Sequence, residues 1–276
     1  HHRAEARGSV IGVAAQKVHI GAMTDEPMTS RAAPRRSWRA ALTALALVLA
    51  APPLEAAAEE TVLVELFTSQ GCSSCPPADA LLGKLADLDG VVALSFHVEY
   101  WDYLGWRDTF ARTAFTKRQY AYRDAWGERV VYTPQMVIGG DKGVVGSRRS
   151  EVDAALKAEG AETARSSGRL AIEAGEGSVR AQLEDLPPTA EIWSAVYIQA
   201  ATVAVERGEN RGRTLTYHNV VRDLMRLGTV ADAGASIAIP QPAPGEGVAV
   251  WVQERGLGAV HAAASHEISL STAAIR

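Results

Sequence analysis

An apolar run, Thr61-Val-Leu-Val-Glu-Leu-Phe67, passes through Thr68-Ser-Gln-Gly71 straight into Cys72-Ser-Ser-Cys75-Pro-Pro77. The run predicts a strand. Two prolines directly after it suit only the first turn of a helix, where a missing N–H costs nothing. The chain must therefore turn from strand to helix within a few residues, with two thiols at the turn. These are the only cysteines among 276 residues. A scaffold stapled by several disulfides is excluded, and stability has to come from a conventional core.

A helix start offers free N–H groups and the positive end of the backbone dipole, which favour a thiolate. The thiolate is the form that attacks disulfides. Cys72 and Cys75 therefore read as a thiol–disulfide redox centre. Three other readings stay open at this point. A structural disulfide closing so small a ring would contribute only about 2 kcal/mol of chain entropy. A structural zinc site needs four ligands, and no further cysteine or H-x-x-x-H pair supplies them. Two thiolates alone suffice for Cu(I), so a soft-metal carrier is the main alternative function.

The N-terminal stretch has the layout of a secretory leader. Met28 is a suitable start, Arg31, Arg35, Arg36 and Arg39 form a basic region, and an apolar run from Ala40 to Ala51 follows. That run is short for a membrane span. Ala56-Ala57-Ala58 offers a small-residue cleavage site. The expected organisation is an extension and leader over 1–58, an α/β domain over 59–160 and a β-rich module over 168–276. Export to a periplasmic or secreted location, which permits disulfides, is expected, with no membrane association after cleavage. The net charge is −4 without a basic stretch, so nucleic acid is not an expected partner.

Leu81, Leu82, Leu85 and Leu88 recur at helical spacing over 78–88, and Val91 to His97 reads as a buried strand. Strand, helix and strand in that order imply a parallel βαβ unit. A helix is expected from about Asp108 to Trp126, ended by Gly127. A proline-entered strand over 130–138 and a hairpin into Val144-Val145 come next. A last helix over 151–159 has Ser150 as its expected N-cap. Beyond Gly168 the chain is strand-like: 170–173, 179–183, 192–205, 213–221 and 248–252, with 219–227 ambiguous between strand and helix. This half reads as a β module packed on, or hydrogen-bonded to, the first.

The order strand, C-x-x-C helix, strand, long helix, proline-entered strand, hairpin and helix resembles the thioredoxin fold. More narrowly, Glu65-Leu-Phe-Thr-Ser-Gln-Gly-Cys-Ser-Ser-Cys-Pro-Pro-Ala-Asp79, the aromatic stretch His97 to Trp106, Tyr132-Thr-Pro-Gln135, and Gly208-Glu-Asn with Leu215 to Arg222 resemble an exported thioredoxin-like family of unknown function, DUF1223. The resemblance implies a central mixed sheet flanked by helices with a C-terminal β-rich module. It implies that Cys72 attacks and Cys75 resolves, and that Thr133-Pro134 is a cis-proline element facing the disulfide. Glu65 lies near the position of a buried acid that exchanges protons with the thiols, one residue further from the first cysteine than in thioredoxins. Ser73-Ser74 replaces a Gly-Pro pair, and Gly71 replaces a tryptophan.

Trp101 and Trp106 are candidates to line a substrate groove or to fill core. His97, Glu99 and Asp102 suggest a metal cluster, but a strand-end histidine is expected to be hydrogen-bonded within the structure; neither metal nor cofactor is expected. The sequence points to an exported thiol–disulfide oxidoreductase. It needs a protein or small-molecule thiol or disulfide as substrate and a separate redox partner. A Cu(I) carrier, or a binding module on the same scaffold, is the alternative.

Overall fold

The computed structural model describes residues 61–175 and 177–268. The leader and its Met28 start fall outside them. In chain order the elements are β1 (Val62–Thr68), α1 (Pro76–Ala86), β2 (Val91–His97), a turn of 3-10 helix (Asp102–Leu104), α2 (Thr113–Ala125), β3 (Gln135–Ile138), β4 (Lys142–Val145) and α3 (Arg149–Thr163). The remainder comprises β5 (Arg169–Gly175), β6 (Ser178–Glu184), β7 (Glu191–Ala204), β8 (Thr214–Thr229), α4 (Val230–Ala233), β9 (Ser236–Ile239), β10 (Glu246–Gln253) and β11 (Val260–Glu267).

Eight strands form one mixed sheet in the order β11-β10-β7-β8-β2-β1-β3-β4. The βαβ unit is parallel, with Val62 beside Val91 and Thr68 beside His97. On one side β3 joins β1 antiparallel. On the other, β8 meets β2 in parallel at Ser95 and Val220. Strands from the C-terminal stretch thus extend the sheet begun by β1. The remaining three form a second sheet, β5-β6-β9, packed through Val179, Ala181 and Leu183 against Val248, Val250 and Val252.

All seven residues of β1 are buried, because both faces of the large sheet are covered. Val62, Val64 and Leu66 pack with Leu81, Leu82 and Leu85 of α1 and Val152 of α3. Leu63 and Phe67 pack on the opposite face with Phe115 and Tyr122 of α2 and with Trp251. Strand alternation produces this division. It also decides which polar residues of β1 and β2 can meet which helix.

Several boundaries differ from the sequence expectations for identifiable reasons. The first helix ends at Ala86, and Leu88 stands half exposed beyond it. The second starts at Thr113 rather than Asp108, because the Asp108 carboxylate accepts bonds from the backbone of Gln70 and Phe110. The proline-entered strand pairs only from Gln135, since Pro134 has no N–H to give to a ladder. Helix α3 begins before Ser150, with Arg148 at its N-cap position. The ambiguous 219–227 stretch is strand, paired along its length with β7; cross-strand pairing overrides its helix-like spacing of apolar residues.

A buried ion pair ties the α2 face together. Arg118 donates through Nε (2.5 Å) and Nη2 (3.1 Å) to the two oxygens of Glu65, and through Nη2 to Gln253 of β10 (2.9 Å). Tyr122 donates to Glu65 as well. The guanidinium also lies over the rings of Tyr122, Trp193 and Trp251. Arg118→Met would strand a buried carboxylate. It should lower unfolding stability by about 3–5 kcal/mol in chemical denaturation.

Candidate functional site: the Cys72–Cys75 disulfide and the buried acids behind it

Cys72 and Cys75 form a disulfide with a Cα–Cα distance of 5.5 Å. Cys75 occupies the N-cap position of α1, followed by two prolines in its first turn. The turn before it is closed by Cys72 N–H donating to Ser69 O (3.2 Å) and Cys75 N–H to Cys72 O (3.2 Å). Ser74 Oγ lies 3.3 Å from Cys72 Sγ. The same hydroxyl donates to Thr133 O at 3.5 Å, and the Thr133–Pro134 bond is cis. Thr133 and Pro134 thus stand beside the cysteine turn, joined to it by Ser74.

The two tryptophans support this turn. Trp101 Nε1 donates to Thr133 Oγ1 (2.8 Å), and Trp106 Nε1 to Gln70 Oε1 (2.8 Å). The chain passes close to Trp101 at Gly71, where an added Cβ would sit 3.0 Å from the Trp101 Cβ. Both tryptophans are partly exposed and contact the apolar clusters from their edges.

A third support comes from the loop between β7 and β8. Asn210, fully buried, donates through Nδ2 to Gln70 O (3.0 Å) and Cys72 O (2.8 Å). Glu209, exposed beside it, accepts from the Ser73 N–H (3.0 Å). Both residues lie in the Gly208-Glu-Asn motif, which carries resemblance but offers no local pattern that predicts a contact 138 residues away. With this loop in place neither cysteine has exposed surface.

The acids sort onto opposite faces of the sheet. Glu65 lies on the α2 face, engaged by Arg118 and Tyr122 as described. Asp79 lies on the α1 face, one helical turn beyond Cys75, its N–H bonded to Cys75 O (3.1 Å). Its Oδ1 accepts from Thr68 Oγ1 (2.7 Å), while Oδ2 is buried without a partner among the described residues. His97, at the end of β2, is fully buried, and its Nδ1 lies 2.8 Å from Asp108 Oδ2. Its Nε2 is also unpartnered, as is the Tyr217 hydroxyl, whose ring packs edge-on to His97 at 4.7 Å. Glu99 and Asp102 do not join His97. Glu99 accepts from Thr113 (2.9 Å) and Asp102 from the Asp108 N–H (3.1 Å). No grouping suited to a metal ion occurs among the described residues.

Burial sets the protonation of these groups. It pushes Asp79 up to about 7, with Thr68 and His97 pulling down and Asp108 adding to the rise. Burial acts the same way on Asp108, but there His97 and the N–H groups of Gln70 and Phe110 outweigh it and hold the carboxyl below its usual range. Tyr217 is pushed up by burial and by the nearby Asp79 and Asp108. A cavity of about 310 Å³ reaches Asp79 from outside, lined also by Pro76, Ala80 and His218. It lies where α1 crosses β8, an approach close enough that a Cβ at Gly83 would meet the His218 ring at 2.6 Å.

The family model described as "Protein of unknown function (DUF1223)" matches residues 63–253. The chain belongs to this family. The matched span of DUF1223 includes both cysteines, the cis-proline bond and the Asn210 loop. A crystal structure of an Agrobacterium tumefaciens protein is similar, with 30% identity and a TM-score of 0.64, covering 75% of this chain and 93% of that one. HBP35 of Porphyromonas gingivalis is similar at 12% identity with a TM-score of 0.49, covering 79% of each chain. No curated protein matches the sequence.

Asp79 makes a stability prediction for this DUF1223 chain. Its folded pKa of about 7 exceeds the ordinary 3.8. The folded state therefore holds the proton more tightly, and stability falls as pH rises between those values. Asp79→Asn removes a buried charge that persists above neutrality. The variant should match the parent near about pH 4 and exceed it near about pH 8, by up to about 4 kcal/mol. Denaturation at the two pH values checks this.

Proposed function

We propose that the protein is an exported thiol–disulfide oxidoreductase on a thioredoxin-like scaffold. The observation that carries this reading is the Cys72–Cys75 disulfide at the first turn of α1. In the reduced form the dipole of that helix and the Ser74 hydroxyl, 3.3 Å from Cys72 Sγ, favour a thiolate at the turn. The element order β1, α1, β2, α2, β3, β4, α3 is the order expected of a thioredoxin-like domain. The cis Thr133–Pro134 bond, linked through Ser74 to the Cys72 turn, supports the same reading.

The reaction follows from these positions. Cys72 thiolate attacks a substrate disulfide, forms a mixed disulfide and expels one substrate thiolate. Cys75 then attacks the Cys72 sulfur, which regenerates the enzyme disulfide and releases the second substrate thiolate. Run backwards, the same steps oxidise a substrate dithiol. Because both cysteines are fully buried, substrate reaches sulfur only when the covering loop shifts. The exposed bond between Ser73 and Glu209 is the cheapest one to give up.

Cys72→Ser should abolish exchange with a glutathione-linked model peptide. Cys75→Ser should leave the substrate attached to Cys72, visible as an added mass under non-reducing conditions. Exchange that survives Cys72→Ser would reject the assignment.

A further inference from the structure

The group that handles the proton in such a reaction has to sit near Cys75, and the resemblance to thioredoxins nominates Glu65. The geometry points elsewhere. Glu65 faces α2, and its two oxygens accept from Arg118 and Tyr122. Asp79 shares α1 with Cys75 at a spacing of four residues, which puts the two side chains on one helix face. It is only 4% exposed.

The surroundings of Asp79 contain unused proton capacity. From β1, Thr68 donates to its Oδ1. From β2, His97 presents an unpartnered Nε2, its Nδ1 being engaged by Asp108. Since the Asp108 carboxylate accepts, His97 Nδ1 donates to it, and Nε2 has no partner among the described residues. From β8, Tyr217 presents an unpartnered hydroxyl, and His218 lines the cavity that opens onto Asp79. Arg213, which bonds Asn210, contributes positive charge toward Tyr217. Three buried polar atoms without partners among the described residues thus lie in one neighbourhood, where they can take up or give a proton.

We infer that Asp79, held by Thr68 and lying near the His97–Asp108 pair, accepts and returns the Cys75 proton, and that the cavity where α1 crosses β8 connects it to solvent. This rests on the oxidoreductase reading and assigns the proton path for its second step. In that step the Cys75 S–H proton passes to Asp79 Oδ2. The Cys75 sulfur bonds to the Cys72 sulfur, and the bond from Cys72 to the substrate sulfur breaks. The electron pair of that bond leaves with the substrate thiolate. The enzyme dithiol is oxidised and the substrate disulfide reduced. Asp79 then releases its proton to water in the cavity. An acid that titrates near neutrality is matched to this traffic. His97 acts through Asp79, by lowering its pKa, and does not carry the proton itself.

The test separates the two chemical steps. Reduced full-length protein is mixed with glutathione disulfide, quenched at intervals and weighed by mass spectrometry. Capture of glutathione on Cys72 reports the first step, and its loss reports attack by Cys75. Asp79→Asn should leave capture within about two-fold of the parent and slow resolution about 100-fold near neutral pH. It should also remove the inflection near about pH 7 from the resolution profile. His97→Gln removes a charge partner that holds the Asp79 pKa down, so the inflection should move to higher pH. Resolution by Asp79→Asn at the parental rate with the parental profile overturns the proton path alone. Absence of any glutathione adduct in the parent overturns the oxidoreductase reading, and the path with it.

Discussion

The meeting of β8 with β2 is the constraint on which the site depends. It is short, with a single register pair between Ser95 and Val220. Asn219 reinforces it by turning into a left-handed conformation and donating to Ala93 O (3.0 Å). This junction joins strands from the C-terminal stretch to the sheet that starts at β1. It brings Asn210 onto the Cys72 carbonyl, Tyr217 against His97 and His218 under α1. Without it the cysteine turn would be exposed, and the buried acids behind it would face water.

The sheet then separates two kinds of buried charge. On the α2 face, Glu65 and Arg118 neutralise one another and knit β1, α2 and β10 together through Gln253 and two tryptophans. Such a pair is sensitive to loss of either partner. On the α1 face, Asp79, His97 and Tyr217 each keep an atom without a partner among the described residues, and Asp79 lines a cavity open to the outside. Strand alternation assigns Glu65 and His97 to their faces, and the packing of α1 and α2 on opposite faces assigns Asp79 and Arg118. Glu65 and Asp79, both in the stretch that runs from β1 into α1, are thereby given different surroundings.

Much of the first half was legible because its signals are local. The apolar run, the C-x-x-C turn and the prolines of α1 specify strand, turn and helix within about thirty residues. The cis bond at Thr133–Pro134 matched the residue type expected there. Glu65 as the proton carrier was suggested by position along the chain, and the facing of the strand could not be tested until Arg118 was placed against it. Asn210 and Glu209 were invisible as site residues, because their partners lie well over a hundred residues away and no periodicity marks them. Asp79 stood in plain view within the motif. Only its depth beneath α1 and the neighbouring His97–Asp108 pair distinguish it from an ordinary acid at a helix start, where dipole and solvent alone would account for it.

The central claim is that Cys72 and Cys75 form a working redox couple, not a fixed staple. The most direct measurement is their equilibrium potential, obtained by titrating the chain in glutathione buffers and reading free thiols by alkylation and mass spectrometry. A working couple should poise between about −120 and about −270 mV, the range of known thiol–disulfide oxidoreductases. A pair that stays oxidised below about −300 mV behaves as a structural disulfide and would contradict the account.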